Sequence, residues 1–474
     1  MKDKYDVVII GAGIGGLVCG CYLAKAGLKV LIVEKNDKPG GYCSSFERDG
    51  YRFDVGPHYL GGIKRGALGK ILEELEVKDQ IKFHQFDPTD KIIMPDNITY
   101  IRANPYNTIK EFKKSFPKEK RNIEKFFKFV MQKDFLEIYR KTRKLTFKQI
   151  LDEFFDDYRL KGTLNVLLGN IGVHASVASG LSGVILYREF ILDPGYYPSG
   201  GMQNFSDTLA NKFKEYGGEI IFCEEAKKII IGDNNEAKGV VTKKNRKIFA
   251  DKIISAIDAT YTFEKLLDIK SKEQKMVSKL IPTPSVFAVY LGLNINLKKT
   301  LGKEFPTTWA FSTYSLRNSF VLKKDDIENE KCYKVMFFSP SFHTDDFDEN
   351  KSVIESLILV SFETVSFWNR VKRKVAQNIL RIVEEKGNIL KKWIDIQILA
   401  TPFDFYKFTL NKNASPLGWM PTLKQIRISK FPPFTSIKNL FLVSHWTTIG
   451  SAETGITGVS VVAKKVSFFI LANF

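Results

Sequence analysis

The sequence predicts an α/β fold built on a parallel sheet, and three observations lead to that prediction. Tyr5–Ile10 is an unbroken apolar run rich in β-branched residues, typical of a strand buried on both faces. A glycine-rich turn and a helical stretch at 17–26 lead to a second apolar strand at 29–33. Far along the chain, a helical pattern at 203–216 precedes further apolar strands between 226 and 256. Strands that alternate with helices in this way indicate parallel pairing.

Length and composition are those of an ordinary globular protein. The chain has 474 residues, which suggests two or three domains, and its 44% hydrophobic and 26% charged residues do not indicate disorder. Its five cysteines are scattered without a C-x-x-C pair, and its five histidines show no metal-ligand spacing. We therefore expect a reducing compartment and no metal site.

The net charge of +19 is concentrated in one part of the chain. Residues 110–148 contain 14 Lys/Arg against 5 Asp/Glu, with seven phenylalanines among them. Basic residues interleaved with aromatic ones suit an anionic membrane surface, where each cation contributes about 1 kcal/mol. The alternative is a solvated helical face without a partner. A basic segment can also bind nucleic acid, but we expect no nucleic-acid partner here.

One uncharged stretch is long enough to span a membrane. Residues 162–187 form it, but they include five glycines, two asparagines and His174. We expect buried helices or loops there, beside an apolar channel, and we expect no transmembrane helix.

The first glycine-rich turn, Gly11-Ala12-Gly13-Ile14-Gly15-Gly16, has the spacing of a dinucleotide site. Gly11 permits the tight turn out of the strand, Gly13 lets backbone approach a diphosphate, and Gly16 lets helix and strand pack closely. The diphosphate would then lie at the positive end of the helix. Glu34, 18 residues past Gly16, would accept hydrogen bonds from ribose hydroxyls and repel a 2′-phosphate. The motif predicts FAD or NAD rather than NADP.

A second glycine pair, Gly40-Gly41, follows the acidic strand end almost at once. After it come Ser44-Ser45, a hairpin pattern at 46–53 and the run from Asp54 to His58. A simple NAD domain would continue into another helix and strand instead. Backbone amides of the second pair can contact phosphate and ribityl oxygens, which favours a cofactor longer than NAD. The alternative is a plain loop turn.

The run DVVIIGAGIGGL…VLIVEK…PGGYCSSFERDGYRFDVGPHYLGG resembles the amino terminus of the phytoene desaturase and carotenoid isomerase family of flavoproteins. The retinol saturases are a close branch, and the monoamine oxidases and protoporphyrinogen oxidase are more distant relatives. The resemblance implies that both glycine motifs hold FAD, within a Rossmann-type FAD-binding domain that has a parallel sheet and a β-meander. The cofactor-binding residues that it implies are Gly11, Gly13, Ile14, Gly16, Glu34, Lys35, Gly40, Gly41, Ser45, Gly455 and Gly458.

Two later stretches also match the family. The run at 197–202 heads the helix at 203–216, and the following strands resemble the family's return to its FAD domain. Residues 284–293 resemble the strand that opens the second half of its substrate domain.

The end of the chain resembles the segment that places a helix amino terminus under the flavin, where its dipole favours negative charge on the reduced ring. It consists of a strand at 439–443, the run at 444–448 and a helix that begins at Gly455. Ser444 and Ile456-Thr457 depart from the family pattern, which puts the contacts there in doubt.

The resemblance implies that an FAD-binding domain is interleaved with a mixed α+β substrate domain. Three segments are assigned to the FAD-binding domain: 1–65, 196–280 and 431–474. Two segments are assigned to the substrate domain: 66–195, which is helical and basic, and 281–430. The sequence contains no second G-x-G-x-x-G. Electrons would therefore pass through a diffusible acceptor or donor such as a quinone, O2 or NAD(P)H.

The leading interpretation is an FAD-dependent oxidoreductase that acts on carbon–carbon bonds of a long hydrophobic isoprenoid or polyene, as phytoene desaturase-like enzymes do. The alternatives are a retinol saturase-like reductase or carotenoid isomerase, a flavin amine oxidase, and a flavin-binding protein without turnover. We expect a cytoplasmic protein, with a peripheral membrane location if the basic stretch binds lipid. No catalytic triad is evident, and the candidates beside the flavin are His58, His445 and Trp446, which have packing roles as their alternative.

Overall fold

The computed structural model describes residues 4–132, 134–302, 304–316, 321–328, 333–344, 346–428, 433–447 and 455–474. Within these ranges the strands form two large sheets and two small two-stranded ones. The first sheet has seven strands, in the order 226–232, 236–242, 247–255, 5–10, 30–33 and 219–221, with 440–442 beside 247–255. Its first three strands form an antiparallel meander, and the others pair in parallel. This is the predicted parallel sheet with a β-meander.

Helices cover one side of this sheet through a shared apolar core. Ile14–Lys25, Gly201–Glu215 and Gly455–Ala472 contribute buried side chains to it. The first helix was predicted at 17–26 but begins at Ile14, because Gly15 and Gly16 lie in its first turn, where the backbone of neighbouring segments comes close. Close packing outweighs the low helix propensity of glycine here.

The second sheet has eight strands and is mixed. Ser285–Leu293, the strand expected at 284–293, is buried along its whole length between two antiparallel neighbours. The strand order is 394–400, 285–293, 352–360, 334–338, 307–311, 90–94 and 97–101, with 321–322 beside 352–360. Helix Val365–Gly387 packs against this sheet.

Half of the remaining described helices lie in the segment 66–195. Those in the segment assigned to the substrate domain are Ala67–Glu74, Pro105–Ser115, Lys120–Met131, Phe135–Thr142, Phe147–Phe154, Tyr158–Val166 and Gly180–Leu192. The shorter helices elsewhere are Ala259–Lys265, Lys272–Val277, Leu297–Leu301, Lys324–Glu328, Pro340–His343, Pro402–Thr409 and Leu423–Ile428. Six of the seven phenylalanines in 110–148 are buried in this helical core and only Phe135 is exposed, so the aromatic residues there are mainly structural.

The stretch at 162–187 does not form a continuous helix. It is divided between Tyr158–Val166, a short 3-10 turn at Leu167–Ile171 and Gly180–Leu192, and most of it is buried. Among the described residues, Gly455–Ala472 alone is long and apolar enough to cross a membrane by length and composition. Eight of its residues are buried, and it packs on Ile14–Lys25 as a core helix does.

A buried carboxylate joins the hairpin to the rest of the protein. The hairpin consists of Ser45–Arg48 and Tyr51–Asp54, close to the prediction at 46–53. Asp54 accepts hydrogen bonds from the Ser45 and Tyr197 hydroxyls, both at 2.5 Å, and from the Met202 N–H at 3.2 Å. The Asp54 N–H in turn donates to Glu355 Oε1 at 2.6 Å, on a strand of the second sheet. Asp54 therefore connects the hairpin, the second sheet and the helix at 201–215.

Candidate functional site

The parallel strands of the first sheet end at one cavity, with a volume of about 430 Å³. Strand 5–10 leads into Gly11 and Gly13, strand 30–33 into Glu34, strand 247–255 into Asp258, and strand 440–442 into His445, and all of these residues line it. Ligands of parallel α/β sheets bind at the carboxyl ends of the strands. The cavity is therefore the candidate functional site.

The two glycine motifs lie side by side at this edge. Gly13 and Gly40 form a parallel bridge, and the Gly40 N–H donates to the Ala12 carbonyl at 2.8 Å. Gly40 has φ +117°, and a side chain there would lie 2.3 Å from the Cys43 carbonyl oxygen, so only glycine fits. A Cβ on Gly13 would instead meet nothing within 4 Å. The paired backbones thus leave open space above Gly13, and we name Gly13, Gly40 and Gly41 the glycine cradle.

Glu34 closes the cradle on one side. Its buried carboxylate accepts hydrogen bonds from the Ala12 N–H at 2.7 Å and the Asn36 N–H at 2.8 Å. Burial raises the pKa of Glu34, while these two N–H groups favour its ionised form. A carboxylate has about four lone-pair sites, so acceptor capacity remains for a ligand's hydroxyls. Lys35 also lines the cavity and donates to the Lys407 carbonyl at 2.7 Å.

These features fit FAD. The open space above Gly13 would take a diphosphate, Glu34 would bind the ribose, and the cavity continues beyond the cradle past the loop from Val55 to Gly61. NAD would not need the second glycine motif. When bound, FAD accepts or supplies a hydride at its ring system.

Beyond that loop the cavity wall is mostly apolar, and we name this part the substrate compartment. Its apolar residues come from the second sheet and from the helical segment; they are Ile171, Leu186, Val286, Trp309, Phe311, Met336, Leu357 and Leu359. Its polar residues include Asn170, Glu189 and Lys334. Lys334 is buried and donates to Asp326 at 2.9 Å and to the Val321 carbonyl at 3.1 Å, so its charge is neutralised within the wall.

The structure brings together most of the residues predicted for the cofactor. Those that line the cavity are Gly11, Gly13, Ile14, Glu34, Lys35, Gly40, Gly41 and Gly455. Gly16 and Gly458 are not among the described lining residues. A Cβ on Gly16 would lie 2.1 Å from the Gly11 carbonyl oxygen, so Gly16 serves the helix–strand packing expected of it.

Ser45 belongs to a hydrogen-bond network within the protein. Its hydroxyl donates to Asp54 and accepts from the Gln203 N–H at 3.1 Å, and it is not among the described residues that line the cavity. Its contact with the ribityl chain stays a prediction. No short motif could have revealed this network, because Gln203 is 158 residues away.

The three catalytic candidates are placed differently. His58 and His445 line the cavity, whereas Trp446 is buried behind it, edge-on to Trp419 at 4.8 Å between ring centroids. The expected run at 444–448 is described only as far as Thr447, since 448–454 lie outside the described residues. Burial lowers the pKa of His58 to about 3 and that of His445 to about 4. Both imidazoles are therefore neutral at pH 7.

His58 is expected to act mainly through packing, which His58→Phe tests. Its ring packs against Tyr59 and Trp309, and its Nε2 makes no hydrogen bond to a described residue, so phenylalanine would keep the contacts. Burial lowers the pKa of His58 in the folded protein. The neutral imidazole therefore contributes to wild-type stability above about pH 6.5, and this contribution is lost as pH falls towards 3. Urea unfolding measures this at pH 7 and pH 5. Between these two pH values the free energy of unfolding should fall by about 2 kcal/mol less in the variant than in wild type. Equal losses in the two proteins would contradict the buried neutral form.

Several cavity residues were missed from the sequence. Asp258 follows the strand at 247–255, caps helix Ala259–Lys265 and accepts from the Lys412 N–H at 2.8 Å. The strand-end rule could have found it, since the strand was predicted. Trp309, Lys334 and Glu189 come from regions without a recognisable motif, and only the fold brings them to the cavity.

Comparison with known proteins decides the family. A family model described as "Flavin containing amine oxidoreductase" matches residues 14–320. The chain belongs to this family. The match covers Gly40 and Gly41 of the glycine cradle, Glu34 and the substrate compartment up to Phe311, and it confirms the predicted recognition, fold class and FAD cofactor.

Curated relatives of this chain include proteins named as reductases and isomerases. It is 23% identical over 420 residues to all-trans-retinol 13,14-reductase of Danio rerio, covering 80% of this chain and 69% of the relative. It is 31% identical over 323 residues to prolycopene isomerase of Daucus carota, covering 61% of this chain and 52% of the relative. The matched part thus spans about half the length of the isomerase.

Solved structures share the fold over almost the whole chain. An oxidoreductase from Methanosarcina mazei has a TM-score of 0.70 and 16% identity, covering 97% of this chain and 99% of its own. Putrescine oxidase bound to putrescine has a TM-score of 0.67 and 17% identity, covering 99% of both chains. The protein is therefore an FAD-dependent oxidoreductase-family member with an α/β fold.

Proposed function

We propose that this flavoprotein acts on carbon–carbon bonds of a long hydrophobic isoprenoid or polyene. The observation that carries the proposal is the continuity of the glycine cradle with the apolar substrate compartment in one cavity. Apolar walls with few polar groups favour a hydrocarbon-rich ligand. Relatives named as a retinol reductase and a prolycopene isomerase support the same substrate class.

The chain's own residues bind, orient and exclude water. The glycine cradle would hold the diphosphate, and Glu34 would accept from the ribose hydroxyls. Trp309 and Leu357, on two strands of the second sheet that both pair with Lys334–Phe338, would hold a polyene against the cofactor and keep water away from it. The neutral imidazole of His58 adds no charge to this wall.

Anaerobic reduction and reoxidation of the purified flavoprotein test the proposal. The flavin is reduced with light, and a retinoid or carotenoid, an amine or a quinone is then added while flavin absorbance is followed. Reoxidation by a polyene, with a saturated product, is expected for reductase activity. An isomerised product that forms while the flavin stays reduced is expected for isomerase activity. Oxidised enzyme reduced by a polyene would indicate desaturation. Reduction by amines alone would favour the amine oxidase alternative, and no reaction with any compound would favour a binding protein without turnover.

We also propose that the flavin exchanges electrons with a diffusible acceptor or donor such as a quinone, O2 or NAD(P)H. A second proposal concerns location, which we expect to be peripheral, on an anionic membrane. Helix Phe135–Thr142 supports the location, because Phe135, Leu136 and Tyr139 are 49%, 61% and 41% exposed. Exposed cations lie beside them, and these are Arg140, Lys141, Arg143 and Lys144. An exposed apolar face with flanking cations is typical of interfacial helices. The helix packs on Gly180–Leu192, which contributes to the substrate compartment.

Leu136→Asp is expected to reduce binding to phosphatidylserine vesicles by at least about tenfold, because it removes one apolar anchor worth roughly 1.5–3 kcal/mol and adds a repelled charge. Vesicle flotation at low salt measures the bound fraction. Leu390→Asp, at another exposed leucine, is the matched control and should bind like wild type. If wild-type protein does not float with these vesicles, the membrane location is wrong while the redox proposal stands.

A further inference from the structure

Glu189 stands apart from the other charged groups of the substrate compartment. It lies on helix Gly180–Leu192, three residues after Leu186, so the two side chains share one face of the helix, and both line the cavity. Lys334, the nearby cation of the wall, is held by Asp326 and the Val321 carbonyl. The carboxylate of Glu189 makes no hydrogen bond or ion pair with a described residue.

Neighbouring polar groups do not satisfy this carboxylate. The Arg188 guanidinium donates to the Gln132 carbonyl. Asp193, one turn further on, accepts from the Arg65 N–H at 2.6 Å and from the Tyr196 hydroxyl at 2.6 Å. The Asn170 amide donates to the Leu167 carbonyl at 3.1 Å. These groups are engaged elsewhere, so the carboxylate of Glu189 is left for a ligand in the cavity.

A partly buried carboxylate in an apolar wall is costly unless a partner satisfies it. Burial raises the pKa of Glu189, with Asp193 adding to the rise and Arg188 opposing it. A purely hydrocarbon ligand would make this cost larger, because it would displace water from the carboxylate and offer no hydrogen bond in return. A ligand with a hydroxyl end would donate to it.

We propose that Glu189 is a specificity-determining residue that binds the hydroxyl end of a polyene alcohol and disfavours the corresponding hydrocarbon. This inference rests on the proposed function and deepens it. The apolar wall binds the chain of the substrate, and Glu189 fixes which end enters and which direction the chain takes past the cofactor. A few placed polar groups commonly set the orientation of a ligand in an apolar pocket.

Binding of retinol and of its deoxy analogue, in which hydrogen replaces the hydroxyl, tests this. Trp309 lines the compartment, so quenching of tryptophan fluorescence in the FAD-loaded protein reports binding without turnover. Wild type should bind retinol about 10- to 100-fold more tightly, the range expected for a hydrogen bond to a charged group. Glu189→Gln should retain part of that preference, and Glu189→Leu should bind the two ligands equally.

Controls separate the possible failures. Flavin absorbance should be unchanged in both variants, because Glu189 lies outside the glycine cradle, and the exposed Glu153→Gln should behave as wild type. Equal binding of the two ligands by wild type, or a preference that persists in Glu189→Leu, would overturn the inference and leave the proposed function intact. If wild type binds neither ligand, the polyene substrate class itself is overturned, and the inference with it.

Discussion

Gly13→Ala is expected to weaken FAD binding about 10- to 100-fold while the apoprotein stays folded. The backbone of Gly13 has φ −69° and ψ 172°, which alanine adopts easily, and the added Cβ meets no protein atom within 4 Å. That open space is where the diphosphate would approach the backbone, so the methyl group would force it away. Displacing a closely packed group costs about 1–3 kcal/mol, which corresponds to the stated loss of affinity.

Titration of apoprotein with FAD, followed by calorimetry, measures this loss, and urea unfolding measures the stability. The unfolding free energy of Gly13→Ala should change by no more than about 1 kcal/mol, the size of a helix-cap effect. Gly16→Ala is the contrasting variant, because its Cβ would lie 2.1 Å from the Gly11 carbonyl oxygen and 3.2 Å from the Ala256 Cβ. It should destabilise the fold itself. Wild-type FAD affinity in Gly13→Ala would show that the cofactor lies elsewhere.

Asp54→Ala is expected to lower the free energy of unfolding by about 3 kcal/mol, because it leaves three buried donors without an acceptor. These donors are the Ser45 and Tyr197 hydroxyls and the Met202 N–H. Together they hold the hairpin of Ser45–Arg48 and Tyr51–Asp54 against the first turn of helix Gly201–Glu215. Equilibrium unfolding in urea measures the loss.

Asp54→Asn should cost less, roughly 1 kcal/mol, since it keeps an acceptor oxygen and removes the repulsion between two buried carboxyl groups. That repulsion, together with burial, raises the pKa of Glu355, whose Oε1 accepts from the Asp54 N–H. Asp233→Ala, at an exposed hairpin position, should change stability by less than about 0.5 kcal/mol. Equal losses for alanine and asparagine at position 54 would show that charge, rather than unpaired donors, dominates the network.

The cofactor half of the fold was predictable from the sequence because its signals are local. Strand Tyr5–Ile10 was predicted with its exact bounds, and the glycine spacing and Glu34 lie within 30 residues of it. The network around Ser45 was not predictable in this way, because the Ser45 hydroxyl donates to Asp54 and accepts from the N–H of Gln203, which is 158 residues away. A motif does not reveal such a distant donor.

The substrate compartment could not be predicted, because its residues carry no spacing signal. Trp309 and Leu357 come from strands paired through Lys334–Phe338, and Glu189 comes from a helix more than a hundred residues earlier in the chain. Basic charge at 110–148 was evident, but the sequence did not reveal that most phenylalanines there point inward. Burial of a helix face depends on its tertiary partners, which periodicity alone does not identify.

The division of the first sheet among three segments has a consequence for how the protein is made. Strand Leu440–Leu442 pairs with Lys247–Ser255, and helix Gly455–Ala472 covers Ile14–Lys25, which emerges from the ribosome some 400 residues earlier. At roughly 5–20 residues per second, the nascent amino terminus waits about 20–80 s for its covering helix. During translation its apolar surface is therefore open to chaperones and proteases until this strand and this helix have been made.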